Sequence, residues 1–100
     1  MSPYALSIIS PQGVAFDGQA QSLIASGEQG FLEILAGHAP IVAKLKKGAA
    51  ILTQDGQKKY FAIGPGVLEV NGQHRVLLLS DYIFPAKDRQ DIQEQLAKVK

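Results

Sequence analysis

Gly27-Glu28-Gln29-Gly30-Phe31-Leu32-Glu33-Ile34-Leu35-Ala36-Gly37-His38-Ala39-Pro40-Ile41-Val42-Ala43-Lys44-Leu45-Lys46-Lys47-Gly48 is the stretch on which the fold turns. At its centre, Gly37-His38-Ala39-Pro40 joins a residue free to adopt angles that a β-carbon forbids to one whose φ is fixed and whose donor is missing. Neither a regular helix nor a central strand runs through such a sequence. Phe31 to Leu35 before it and Ile41 to Leu45 after it read as short strands. A lone histidine in a rigid turn between two strands is either a docking point or a structural turn whose imidazole faces water, and the residues alone leave both open.

Working outward, Tyr4 to Ser10 alternates Tyr4, Leu6 and Ile8 with smaller groups, the pattern of a half-buried strand. Pro11-Gln12-Gly13 breaks it and Val14-Ala15-Phe16 begins another. Three Asx-Gly doublets follow, Asp17-Gly18, Asp55-Gly56 and Asn71-Gly72, each suited to a tight hairpin turn with positive φ. They predict pairing of Phe16 with the Leu23-Ile24 strand, of Ala50–Thr53 with Lys59–Ile63, and of Val67–Val70 with Arg75–Leu79. Gly64-Pro65-Gly66 separates the last two hairpins. Eight or nine short strands with turns every eight to twelve residues predict a β-sandwich or small barrel. The expected core is Leu6, Ile8, Phe16, Leu23, Leu32, Ile34, Val42, Ile51, Phe61, Ile63, Leu68, Val70, Val76 and Leu78.

The character changes after Asp81. Tyr82-Ile83-Phe84-Pro85 reads as a last strand stub, which bounds a β domain at residues 1–85 and leaves a short polar, amphipathic tail at 86–100. Ile92, Leu96 and Val99 form one helical stripe there, with Asp88 as N-cap and Asp91 three residues on. A helix of about twelve residues is marginal in water unless packed, so the tail is expected either to dock or to fray.

Composition excludes much. One hundred residues make one domain with one modest core. Ten basic against nine acidic side chains leave a net charge of +1, no footprint for nucleic acid or acidic lipid. Without cysteine there is no disulfide framework, thiolate metal site or cysteine nucleophile. Met1-Ser2-Pro3-Tyr4 lacks the regions of a signal peptide, and Val76–Leu79, the longest aliphatic run, is far below the roughly 20 residues of a membrane span. A soluble, cytosolic chain is expected. His38 and His74, the two imidazoles, stand in no metal-ligand spacing, and His74, just past an Asn-Gly turn, reads as solvated. Gly64-x-Gly66 is followed by strand residues rather than a helix, so it is no dinucleotide fingerprint. Lys44, Lys46 and Lys47 form the one basic cluster and read as a solubilised strand end rather than a binding patch. No catalytic, cofactor or metal residue is assigned, and no cofactor is expected. A rigid all-β chain of this kind reads as part of something larger, with its exposed turns as the working surface.

The motifs place that reading. Ile9-Ser10-Pro11, Phe16 followed by Gly18, Gly37-His38-Ala39-Pro40-Ile41, Lys46 with Gly48, Leu68-Glu69-Val70 and Leu79-Ser80-Asp81 occur in the order and spacing of the epsilon subunits of bacterial F-type ATP synthases. The mitochondrial counterpart is called delta. The chain resembles that family over residues 4 to 81. It departs in three places. Phe31 and Glu33 replace an acidic residue and a second glycine; Ala36 replaces the proline before Gly-His-Ala-Pro; Gly64-Pro65-Gly66 replaces Ser-Gly-Gly.

The resemblance implies an all-β fold, a ten-stranded antiparallel β-sandwich or flattened barrel, for the residues that match. It implies a non-catalytic subunit low on the central rotor stalk, on the cytoplasmic face of the bacterial inner membrane. There it would couple c-ring rotation to the gamma subunit during proton- or sodium-driven ATP synthesis. Ser10, His38 and Ala43 match gamma-facing positions, and Phe31 stands in the loop that faces the polar loops of the c-ring. The isolated chain is expected to be monomeric. Family members usually continue into an inhibitory helical hairpin that binds ATP in some of them. Here fourteen residues follow Ala86, and Gln93 stands where the ATP-associated arginine would be. At about 1.5 Å per residue a twelve-residue helix reaches roughly 18 Å, too short to climb the stalk. Little or no inhibition is therefore expected. The alternative is a stand-alone ligand-binding or interaction sandwich. It would need a concave aromatic face or a modified lysine at a hairpin tip, whereas Lys58 and Lys59 lie beyond Asp55-Gly56.

Overall fold

The computed structural model describes residues 3–99. Nine strands and one helix follow in order: β1 Tyr4–Ser10, β2 Gly13–Ala20, β3 Ser22–Gly27, β4 Gly30–Leu35, β5 Ile41–Gln54, β6 Gln57–Ile63, β7 Gly66–Val70, β8 Arg75–Ser80, β9 Ile83–Ala86 and α1 Arg89–Ala97. One continuous sheet curls into two layers because β5 belongs to both. Its first half, Ile41–Leu45, pairs with β7, and Gly48–Gln54 pairs with β6. The first layer runs β2-β1-β8-β7-β5, and the second runs β4-β3-β5-β6-β9.

The bend in β5 falls at Lys46-Lys47-Gly48. Ser26, buried on β3, accepts a hydrogen bond from the amide of Ala49 at 2.9 Å, and a β-carbon on Gly48 would lie 2.6 Å from the Ser26 β-carbon. Two strands expected over 41–45 and 50–53 are therefore one bent strand, which reconciles nine elements with the ten-stranded reading. The sandwich itself is as expected. One pairing departs from the antiparallel description: β1 and β8 run parallel, with Leu6 opposite Val76 and Ile8 opposite Leu78.

Turn chemistry explains where the hairpins fall. Asp55 and Gly56 both have positive φ, 52° and 77°, as a two-residue turn between right-twisted strands requires. Asp17-Gly18, expected as a turn, lies inside β2; Phe16 pairs with Ile8 on β1 rather than with Leu23-Ile24. Pro11-Gln12 makes the β1–β2 turn instead, and the second reversal comes at Gln21. At Asn71-Gly72 the hairpin forms, but the positive φ falls on His74 (60°). Asn71 Oδ1 accepts from the amides of Gln73 and Arg75 and spreads the reversal over four residues.

The core between the layers includes Leu6, Ile8, Leu23, Ile34, Phe61, Ile63, Leu68, Val70, Val76 and Leu78, all buried as expected. Phe16 and Leu32 pack at its margin. Val42 does not belong to it: the residue is 71% exposed on the outward face of β5, opposite Glu69. Ile51 is buried on the other side of its layer, with Ala49 and Ala62 beneath Ile92 and Leu96 of α1. The tail is thus a docked helix. Asp88 caps it through the Asp91 amide at 2.8 Å, while Asp91 accepts from the Lys87 amide at 2.9 Å. Gln95 donates to the Pro85 carbonyl at 2.7 Å and ties the helix to β9.

Tyr4 closes one end of the sandwich. Its hydroxyl is buried and donates to the Ile34 carbonyl at 2.7 Å, joining the first layer to the edge of the second. Burial, reinforced by the charge of Glu33, raises its pKa well above the ordinary tyrosine value. A raised pKa means the neutral form is favoured in the folded state. Its contribution is complete below the unfolded value near 10 and is lost as pH rises above it, at up to about 1.4 kcal/mol per pH unit. Denaturant titrations from pH 8 to 11 are expected to show stability falling above about pH 10. Tyr4→Phe is expected to flatten that fall and to lower stability near pH 8 by about 1 kcal/mol for the lost hydrogen bond.

Candidate interaction surface

The turn that opened the sequence reading is built as its residues require. His38 donates its amide to the Leu35 carbonyl at 3.1 Å, and Gly37 sits at φ 81°, the third position of a type II turn. Ala36 occupies the second position, where proline is favoured but not required, so the departure there leaves the turn intact. His38 Nδ1 lies 2.7 Å from the Ala39 carbonyl and donates to it.

Ser10, His38, Ala43 and Phe31 occupy three places. Phe31 and Ala43 line one cleft of about 490 Å³ between the β3–β4 turn and β5, together with Val42 and Lys44. The Glu28 amide donates to the Lys44 carbonyl at 3.0 Å and holds that turn against β5. Phe31 is 68% exposed at the rim. Ser10 ends β1 beside a shallow depression with Ile9, Val67, Leu79 and Asp81. Its hydroxyl accepts from the Gln12 amide and shapes the turn into β2. His38 lies at the other end of the first layer, near Tyr4, Val70 and His74.

Sequence reasoning missed what lies between these places. Residues opposite one another in a ladder point to the same face. Val14 pairs with Ile9, Ile9 with Leu79, Leu79 with Val67, and Val67 with Lys44. The outward face of the first layer therefore carries an apolar row across four strands, ending in a lysine. The adjacent row runs Asp17, Ser7, Leu77, Glu69 and Val42. Val14 is 63% exposed and Leu79 is 43% exposed. On the outward face of the second layer α1 covers the part formed by β5, β6 and β9, whereas Phe31 and Leu35 of β4 remain exposed. Continuous apolar runs such as Val76–Leu79 were the available signal: a strand apolar on both sides has something to cover on both.

Among the described residues, no three histidine or carboxylate side chains gather into a metal cluster, and every buried side-chain nitrogen or oxygen has a hydrogen-bond partner. Among the described residues, no helix is long and apolar enough to cross a membrane.

The fold is a bent β-sandwich backed in part by one helix, with an exposed apolar row across one layer. Residues 3–86 match the family described as "ATP synthase, Delta/Epsilon chain, beta-sandwich domain", and the chain belongs to that family. An ATP synthase epsilon chain from Chlorobium limicola is 39% identical over 79 residues, covering 78% of this chain and 90% of that one. The epsilon chain of Helicobacter acinonychis is 27% identical over 100 residues, covering the whole of this chain and 81% of the relative. Among solved structures, a chain of the Euglena gracilis mitochondrial ATP synthase (OSCP/F1/c-ring, rotational state 1) superposes with a TM-score of 0.80 at 19% identity over 98% of this chain. One from the central stalk and c-ring of the Tetrahymena thermophila enzyme gives 0.71 at 12% identity over 80%. These two show the shared fold, and the match spans 64% of each neighbour's length. The chain is a delta/epsilon-type, non-catalytic component of an ATP synthase.

Proposed function

We propose that this chain is the rotor subunit that couples the c-ring to the gamma subunit, from the cytoplasmic face of a bacterial inner membrane. The observation that carries the reading is the open apolar row Val14-Ile9-Leu79-Val67, set on a sandwich whose other face is partly covered by α1. Gamma covers this row, with Ser10 at its border and His38 at the end of the same layer; Ala43, whose ladder partner Leu68 is buried, reaches the surface in the cleft it shares with Phe31. Phe31 faces the polar loops of the ring. A coupler must transmit torque without yielding. Two close-packed layers crossed by the continuous strand β5 have the low compliance that this requires. Co-purification of the tagged chain with gamma and the c-ring tests the assignment. Recovery of the chain without gamma would refute it.

The tail follows from the same reading. Ile92 and Leu96 are buried against β5 and β6, so α1 is a layer of the domain rather than an arm held ready to extend. Added to a catalytic complex that lacks this subunit, residues 1–100 are expected to leave the ATP hydrolysis rate within about twofold, since their helix is docked on the sandwich rather than extended toward the catalytic subunits. Strong inhibition that disappears on deletion of residues 87–100 would contradict this.

A further inference from the structure

The sheet ends in three strands, β2, β4 and β9, and two of these edges are blunted. In β2 the register skips Ala15, a bulge that interrupts the row of free backbone groups. In β9 Pro85 has no donor, and its carbonyl already accepts from Gln95 at 2.7 Å. β4 has no proline, bulge or lysine, and among the described residues no strand pairs with its outer side. Its outward side chains Phe31, Glu33 and Leu35 are all exposed. We propose that the free edge of β4 is a strand-addition site, filled by an extended segment of another synthase subunit that carries a basic residue between two apolar ones.

The backbone supplies the free groups. Glu28-Gln29 is a two-residue turn, and Gly27 and Gly30 are the ladder pair beside it, the pair that such a hairpin closes with hydrogen bonds. Alternation from that pair turns the backbone groups of Leu32 and Ile34 toward β3 and leaves those of Phe31 and Glu33 on the free edge. The edge opens onto the cleft of about 490 Å³ lined by Phe31, Val42 and Lys44, so added chain has room beside it. Side chains choose the occupant. Glu33 stands opposite Ile24 on β3, with no basic residue across the ladder. A second copy pairing antiparallel along the whole edge would set Phe31 against Leu35 but Glu33 against Glu33, like charges face to face. A segment with lysine or arginine at its middle position and apolar side chains two residues either way matches all three. The inference rests on the reading above for the complex that supplies this segment.

The test adds the chain to synthase complexes that lack this subunit and follows amide hydrogen exchange residue by residue. The amides of Phe31 and Glu33 are expected to exchange freely in the isolated chain and to slow by about tenfold or more on assembly. Those of Leu32 and Ile34, held by β3 in both states, are expected not to change. Glu33→Pro removes one edge donor at a position where a strand tolerates proline, and is expected to weaken binding to the complex by about tenfold or more. Glu33→Gln keeps that donor and is expected to stay within about fivefold of native affinity. Melting curves check that both variants fold; should Glu33→Pro fail, the exchange pattern of the native chain decides. Unchanged exchange at Phe31 and Glu33, native-like binding by folded Glu33→Pro, or a dimer of the isolated chain joined through β4 would overturn the proposal. Leu79→Asp separates it from the gamma-facing row: lost binding there beside native-like Glu33→Pro sinks the edge alone, and no binding by the native chain sinks both.

Discussion

Leu79→Asp is expected to leave the sandwich folded and to weaken binding to gamma by at least about a hundredfold, the cost of burying a carboxylate without a partner. In the free chain this side chain is 43% exposed on the outward face of β8, so the new charge stays hydrated. Covered by gamma, it would meet Ile9 and Val67 on either side. The adjacent position is the control. Leu78 is fully buried between the layers, and Leu78→Asp is expected to abolish folding. Melting curves and calorimetric titration with gamma separate the two. Native-like affinity in folded Leu79→Asp would place gamma elsewhere.

Gly66→Ala is expected to destabilise the domain by more than about 3 kcal/mol, a large part of the roughly 5–15 kcal/mol available. Gly66 lies where β7 meets both β8 and β5, opposite Ser80 and Leu45. A β-carbon there would collide with the Leu79 carbonyl oxygen and stand 2.9 Å from the Leu79 carbonyl carbon and the Ser80 α-carbon. All of these are backbone atoms held in the ladder, so no side-chain rotation relieves the overlap. Gly72→Ala meets open space at ordinary φ and is expected to change stability by no more than about 0.5 kcal/mol. Chemical denaturation of the two variants checks the contrast.

How much of this was legible beforehand depended on how local the signal was. The turn at Gly37, the Asp55-Gly56 hairpin and the Asp88 cap involve residues a few positions apart, and all three were readable. Asp17-Gly18 misled because it has turn composition but lies in β2, where pairing of Leu6 with Gly18 and Ser7 with Asp17 outweighs local preference. Val42 misled for a related reason. Ile41, Val42 and Ala43 are apolar in succession, and only the ladder to β7 shows that Val42 shares its side with Glu69. The apolar row across β2, β1, β8 and β7 is invisible in any one segment, since it exists only once four registers are set. The same holds for His38 beside His74. Small residues were undervalued as well: Ala49 and Ala62 are buried because α1 needs a flat floor for Ile92 and Leu96.

The central claim is mechanical, and ion-driven ATP synthesis in reconstituted vesicles tests it most directly. Synthase complexes assembled without this subunit, with the native chain, or with Leu79→Asp are compared under the same ion gradient. The account predicts coupled synthesis with the native chain, and little synthesis with Leu79→Asp or with no subunit. Equal synthesis in all three would show that torque reaches gamma without this chain, and would contradict it.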